Sequence, residues 1–98
     1  MDERKILRCV TACAYPATHL GLSVSSSSVR AVRRLVRMEL TITYRVYVVF
    51  RIGPHVSDQR LARATELFLA DFQRVCQTLR LKVVSVYVDQ FRQKPCES

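Results

Sequence analysis

Few side chains in this sequence could do chemistry, and their spacing limits what they can build. There are two histidines (His19, His55), eight carboxylates and four cysteines (Cys9, Cys13, Cys76, Cys96). Cys9, Cys13 and His19 come nearest to a metal set, but structural zinc takes two close pairs of ligands, and Cys76 and Cys96 are remote in sequence. Read on a strand, residues 9 and 13 face the same way yet stand about 13 Å apart. Their thiols suit the role of small buried hydrophobes better than that of ligands. Glu66 and Asp71, five apart on a helical stretch, point in different directions and form no acid–base pair. With only Gly21 and Gly53, no glycine-rich phosphate loop can be assembled, and neither a G-x-S-x-G elbow nor an H-E-x-x-H pair occurs. His55, next to Pro54, reads as a loop histidine. The expectation is a protein that binds rather than catalyses, with no cofactor and no metal.

Arginine is the residue type with a mechanism left to it. Sixteen basic residues oppose eight acidic ones for a formal charge of +8, and thirteen of the sixteen are Arg. Seven cations and no carboxylate fall between Arg4 and Arg37. Such a basic half favours polyanions: nucleic acid, anionic membrane or an acidic protein surface. Guanidinium groups also suit phosphate forks and base stacking better than ammonium groups do.

The elements that position these residues follow from periodicity. Residues 5–15 form a short apolar run stopped by Pro16, read as a strand. Residues 16–28 are loop-like, with Pro16, Gly21 and the Ser25–Ser28 run, whose hydroxyls can cap a following helix. Over 28–38, Val29, Val32, Leu35 and Val36 share one helical face and Arg30, Arg33, Arg34 and Arg37 the opposite one. Residues 40–52 alternate Leu40, Ile42, Tyr44, Val46, Val48, Phe50, Ile52, a strand about 43 Å long. Its other face carries Thr41, Thr43, Arg45, Tyr47, Val49 and Arg51. Gly53-Pro54 ends it. Ser57 caps a second helix reaching residue 80, with Leu61, Ala64, Phe68, Phe72, Val75 and Leu79 at helical spacing. Residues 81–91 make a last strand, apolar on both faces through Val84, Val86 and Val88 against Leu81, Val83 and Tyr87. Residues 92–98 read as a frayed polar tail.

The 98 residues therefore spell one small α/β (α+β) domain, a two-layer β-α-β-α-β sandwich. A three-stranded mixed or parallel sheet would carry both helices on one face. That order and the basic character resemble small RNA-binding α/β domains such as Alba-like and ribosomal proteins, though no motif those families require is present. The function expected is a non-catalytic RNA-binding subunit of a ribonucleoprotein. Arg30, Arg33, Arg34, Arg37 and Arg8 would meet phosphates, and Arg45, Tyr47 and Arg51 would hold an unpaired base. The alternative is a protein-only subunit that forms a homo-oligomer or adds its long strand to a partner's sheet, through Ile42, Tyr44, Val46, Val84, Val86 and Val88. No run approaches the roughly 20 apolar residues of a membrane-spanning helix. Without a secretory leader the cysteines read as reduced thiols in an intracellular compartment, cytoplasm and mitochondrion being equally compatible.

Overall fold

The central strand organises the molecule. In the computed structural model, which describes residues 2–94, the alternating segment is β2 (Glu39–Ile52), with Val46, Val48, Phe50 and Ile52 all buried on one face. Gly53 ends it by donating its N–H to the Gly21 carbonyl at 2.9 Å. The capping expected at Ser57 is present: its hydroxyl accepts from the Arg60 N–H at 3.2 Å and opens the helix Asp58–Thr78. That helix buries Ala64, Phe68, Phe72 and Cys76 against β2. Phe68 meets Phe50 edge-on at 5.1 Å and stacks with Phe72 at 5.8 Å, the heart of the core. The helix stops at a left-handed Arg80 (φ 55°), where the Leu81 N–H reaches back to the Cys76 carbonyl at 2.8 Å. The chain then returns as β3 (Val83–Arg92), parallel to β2.

The first half differs from the expected order. Residues 5–15 are not a strand but belong to a helix, Asp2–Ala14, followed by a 3₁₀ segment Tyr15–Leu20. Ile6, Cys9, Val10, Cys13 and Ala17 recur at helical spacing and all are buried, while Asp2 and Glu3 favour the positive end of the helix dipole. This first helix is α1 and Asp58–Thr78 is α2. The segment expected as a helix over 28–38 is instead part of β1 (Leu22–Val36), paired antiparallel with β2 from Leu22↔Ile52 to Val36↔Glu39. Tertiary pairing overrides the helical pattern here: the long β2 needs a hydrogen-bonded neighbour, and valine and serine are at best indifferent helix formers.

The fold class nevertheless stands. It is α+β, with a three-stranded mixed sheet ordered β1-β2-β3 and two helices on one face, in the order α-β-β-α-β rather than β-α-β-α-β. Being central, β2 is flanked by β1 throughout and by β3 from Tyr44 onward, so only residues 39–43 keep an edge for a partner's strand. β3 runs to Arg92, past the start of the expected tail, and positions 95–98 of that tail lie outside the described residues. Arg92 ties this end down: its guanidinium donates to the carbonyls of Val56 at 2.7 Å and Gly53 at 3.3 Å. The long hairpin stretches the molecule to 61 × 23 × 20 Å.

The hairpin turns through Arg37 (φ 50°) and Met38 (φ 66°). A two-residue turn with both φ positive matches the twist of the strands but favours Asn-Gly, so two ordinary side chains are held in a left-handed conformation. Replacing them (Arg37→Asn with Met38→Gly) is expected to raise unfolding free energy by about 1 kcal/mol. Phe68→Ala, at the centre of the aromatic cluster, is expected to cost about 3–5 kcal/mol. Urea unfolding followed by circular dichroism checks both.

Candidate functional site

Direct pairing fixes which side chains share each face of the sheet. Opposite Val46 and Val48 stand Val29 and Ser27 of β1, and Val86 and Val88 of β3, all on the helix-covered side. The other side carries Ser28, Arg30, Val32, Arg34 and Val36 from β1, then Thr41, Thr43, Arg45, Tyr47, Val49 and Arg51 from β2. From β3 it receives Ser85, Tyr87, Asp89 and Phe91. Val84 joins them as the extra residue of a bulge between Val83 and Ser85. No described element covers this face, and Val84, Tyr87 and Phe91 are among the large exposed apolar residues.

The uncovered face has internal order. Tyr47 and Tyr87 stack at 5.1 Å with their rings 12° apart, and the Arg51 guanidinium lies over the Phe91 ring at 5.9 Å. Val32, Thr43, Arg45 and Val84 border a shallow depression of about 280 Å³. Arg30 and Arg45 stand directly opposite each other, a like-charge pair that disfavours the ladder. Among the described residues the ion pairs are Arg74–Asp71 and Arg92–Asp58, so neither Arg30 nor Arg45 is neutralised by a carboxylate. Aromatic and aliphatic surface beside uncompensated guanidinium groups is chemistry for holding another macromolecule.

The structure divides the expected sites. Arg45, Tyr47 and Arg51 lie together on the uncovered face, as their alternation implied. Arg30 and Arg34 share it, but Arg33 points to the opposite side and Arg37 sits in the turn, so the four-arginine helix face does not exist. Arg8 is on the exposed side of α1, in the other layer. Of the residues proposed to meet a protein partner, Val46 is wholly buried, Val86 and Val88 face the helices, and Ile42 and Tyr44 are half-buried on that same side. Val84 alone is outward, carried there by the bulge. Val49 lies with Arg45, Tyr47 and Arg51, as the alternation of β2 implied, whereas Val32 and Phe91 were missed. Their parity with Tyr47 and Tyr87 was readable once the register was known.

The three described cysteines line the seam between the helices. Cys9 and Cys13, one turn apart on α1, and Cys76 on α2 are free and buried in the core cluster. The helix replaces the 13 Å strand spacing with one turn. Burial, followed by the influence of Cys9 and Cys13, pushes the Cys76 thiol up to about 11. Cys13 is raised chiefly by burial, then by Cys9 and Asp71, with Arg74 opposing. His19 is exposed and lies edge-on to Tyr15 at 5.9 Å. Among the described residues no group of three or more His, Cys, Asp or Glu is placed to hold a metal, and no helix is long and apolar enough to cross a membrane.

Comparison with known proteins bears on fold. No protein-family profile and no curated protein matches the sequence. Solved structures do match. A MamM C-terminal domain (CTD) with a cysteine-to-serine substitution is 15% identical, with a TM-score of 0.59, covering 96% of this chain and 100% of that one. A copper form of the same domain is 14% identical (TM-score 0.57, covering 93% and 98%) and a nickel form 14% (0.57, covering 93% and 99%). The two metal forms carry an introduced histidine. The likeness supports the α-β-β-α-β fold. It also overturns the RNA-binding reading: these neighbours are neither RNA-binding nor ribosomal proteins, and the arginine helix on which that reading rested is a strand with its charges split between two faces.

Because the Cys76 thiol is raised from 9.0 to about 11, its thiolate fraction at pH 8 falls about a hundredfold below that of the unfolded chain. In a Cys96→Ser variant, alkylation followed by mass spectrometry is expected to label Cys76 at least that much more slowly when native than in denaturant. The sign for stability follows: the unfolded thiol ionises first, so the contribution is intact below pH 9 and is lost as pH rises through about 11.

Proposed function

We propose that this protein is a non-catalytic assembly domain that self-associates through the uncovered face of its sheet. The observation that carries the reading is the stacked Tyr47–Tyr87 pair, set among Val49, Val84 and Phe91 on a face that no described element covers. Aromatic side chains with a polar tip are what interface centres favour, and a contiguous exposed patch of this kind marks an interaction site. The face also carries charges of both signs: Arg45 and Arg51 lie one strand from Asp89, and none of the three is ion-paired among the described residues. A two-fold arrangement brings Asp89 of one copy to the arginines of the other, which suits a self-complementary interface. The fold shared with the MamM CTD supports an assembly role over an RNA-binding one.

Sedimentation equilibrium tests it. The 11.3 kDa chain is expected to run at twice its mass at micromolar concentration, and Tyr87→Ala with Tyr47→Ala to weaken the dimer by about thirtyfold or more. A strictly monomeric wild type at high concentration would sink the proposal.

A further inference from the structure

Beyond Tyr44 the sheet narrows to two strands. β3 begins opposite Tyr44. The helix layer ends at the same level, where Asp2 of α1 and Arg80 and Lys82 after α2 meet Leu40, Ile42 and Tyr44 around a notch of about 310 Å³. Residues 31–36 and 39–43 therefore project as a ribbon: on one face the end of the helix layer reaches only Leu40 and Ile42, and no described element covers the other. A two-stranded ribbon is marginal in water by itself, so one this long calls for something to lie against.

Its end is apolar. Met38 is 93% exposed at the apex, with Leu35 at 73%, Leu40 at 62% and Val36 at 56% just behind. Leu35 and Leu40 face each other across the ladder on one side, and Val36 lies on the other. Arginines are interleaved with them: Arg30, Arg33, Arg34 and Arg37 against the single carboxylate Glu39, with none of the four in an ion pair among the described residues. The shape matters as much as the composition. The tip is a convex wedge two strands wide with apolar residues at its point and cations on both faces of its β1 side. A bilayer boundary accepts such a wedge, taking the apolar point among the acyl chains while guanidinium groups meet lipid phosphates.

We propose that the β1–β2 hairpin tip is a membrane-surface anchor, with Leu35, Val36, Met38 and Leu40 entering an anionic leaflet and Arg33, Arg34 and Arg37 binding its headgroups. The tip continues the uncovered face through Arg34 and Val36 but lies beyond the Tyr47–Tyr87 patch, and the substitutions that test the one leave the other's residues in place. It implies peripheral attachment, for which no spanning helix is required.

The test is co-sedimentation of the full chain with phosphatidylcholine vesicles, with and without phosphatidylserine, at low salt. Binding is expected only where phosphatidylserine is present. Replacing the apolar point at constant charge (Leu35→Ser, Met38→Asn, Leu40→Thr) is expected to weaken it at least tenfold. Removing charge (Arg33→Gln, Arg34→Gln, Arg37→Gln) is expected to weaken it about a hundredfold, near fivefold per arginine. Since the chain contains no tryptophan, a Leu40→Trp variant reports insertion as a blue shift on adding vesicles. The proposal is overturned by no binding to anionic vesicles, by binding indifferent to the apolar substitutions, or by equal binding to neutral vesicles. If those substitutions instead lower the mass of a self-assembled species without vesicles, a second copy covers the tip and the anchor is refuted.

Discussion

A helix and a strand of similar residue count differ about twofold in length, and this mismatch shapes the molecule. The 21 residues of α2 rise about 31 Å, whereas the 15 residues of β1 reach about 50 Å. Two helices laid along one face of a hairpin this long cannot cover it from end to end. The core therefore gathers where α1 and α2 meet Val46, Val48, Phe50 and Ile52, and the hairpin overshoots it. The strained Arg37–Met38 turn lies at the overshooting end, far from the packing that could absorb it. At the covered end the chain is tied repeatedly, by Gly53 to Gly21 and by Arg92 to Val56. Gly21 has φ 92°, and a side chain there would run into Val56, so the junction between the 3₁₀ segment and β1 depends on glycine.

Much of the second half was legible because each local cue agreed with the tertiary outcome. The alternation of 40–52, the Gly53-Pro54 break and the Ser57 cap each appear within a residue or two of expectation. The first half was misread for an identifiable reason. Strand β1 has a register shift at Ser25, between Val24 and Ser26, so its helix-facing residues change from even-numbered (Leu22, Val24) to odd-numbered (Ser27, Val29). A bulge erases the period of two that identifies a strand, and what remained downstream imitated a helix. The same effect in β3 sent Val84 outward while Val86 and Val88 turned inward. Bulges depend on which strand lies alongside, and a single sequence does not carry that information locally. For α1 the cue was present: Ile6, Cys9, Val10 and Cys13 lie at helical spacing, but a short apolar run ahead of a proline reads equally well as a strand.

The candidate site was partly legible for the same reason. Arg45, Tyr47 and Arg51 kept their common face because β2 has no bulge within its own run. The arginines of β1 did not keep theirs, since residues 30, 33, 34 and 37 share a side only in a helix. Counting charges found a basic segment correctly and assigned it a geometry it does not have. Net charge argues about partners, and it cannot show how the charges are arrayed.

Their actual array suggests how the surface is used. β1 and β3 are both edge strands, and an exposed edge is a template for unwanted pairing. Along β1 the edge carries Arg30, Arg33 and Arg34 after a run of four serines, a composition that discourages addition of another strand. The uncovered face shares Arg30 and Arg34 and adds Arg45 and Arg51, but there the cations surround an apolar patch of Tyr47, Val49, Tyr87 and Phe91, with Asp89 as a charge of opposite sign. A guarded β1 edge beside an aromatic face with charges of both signs favours association by stacking faces, which buries the apolar patch and leaves the backbone ladder of β2 intact.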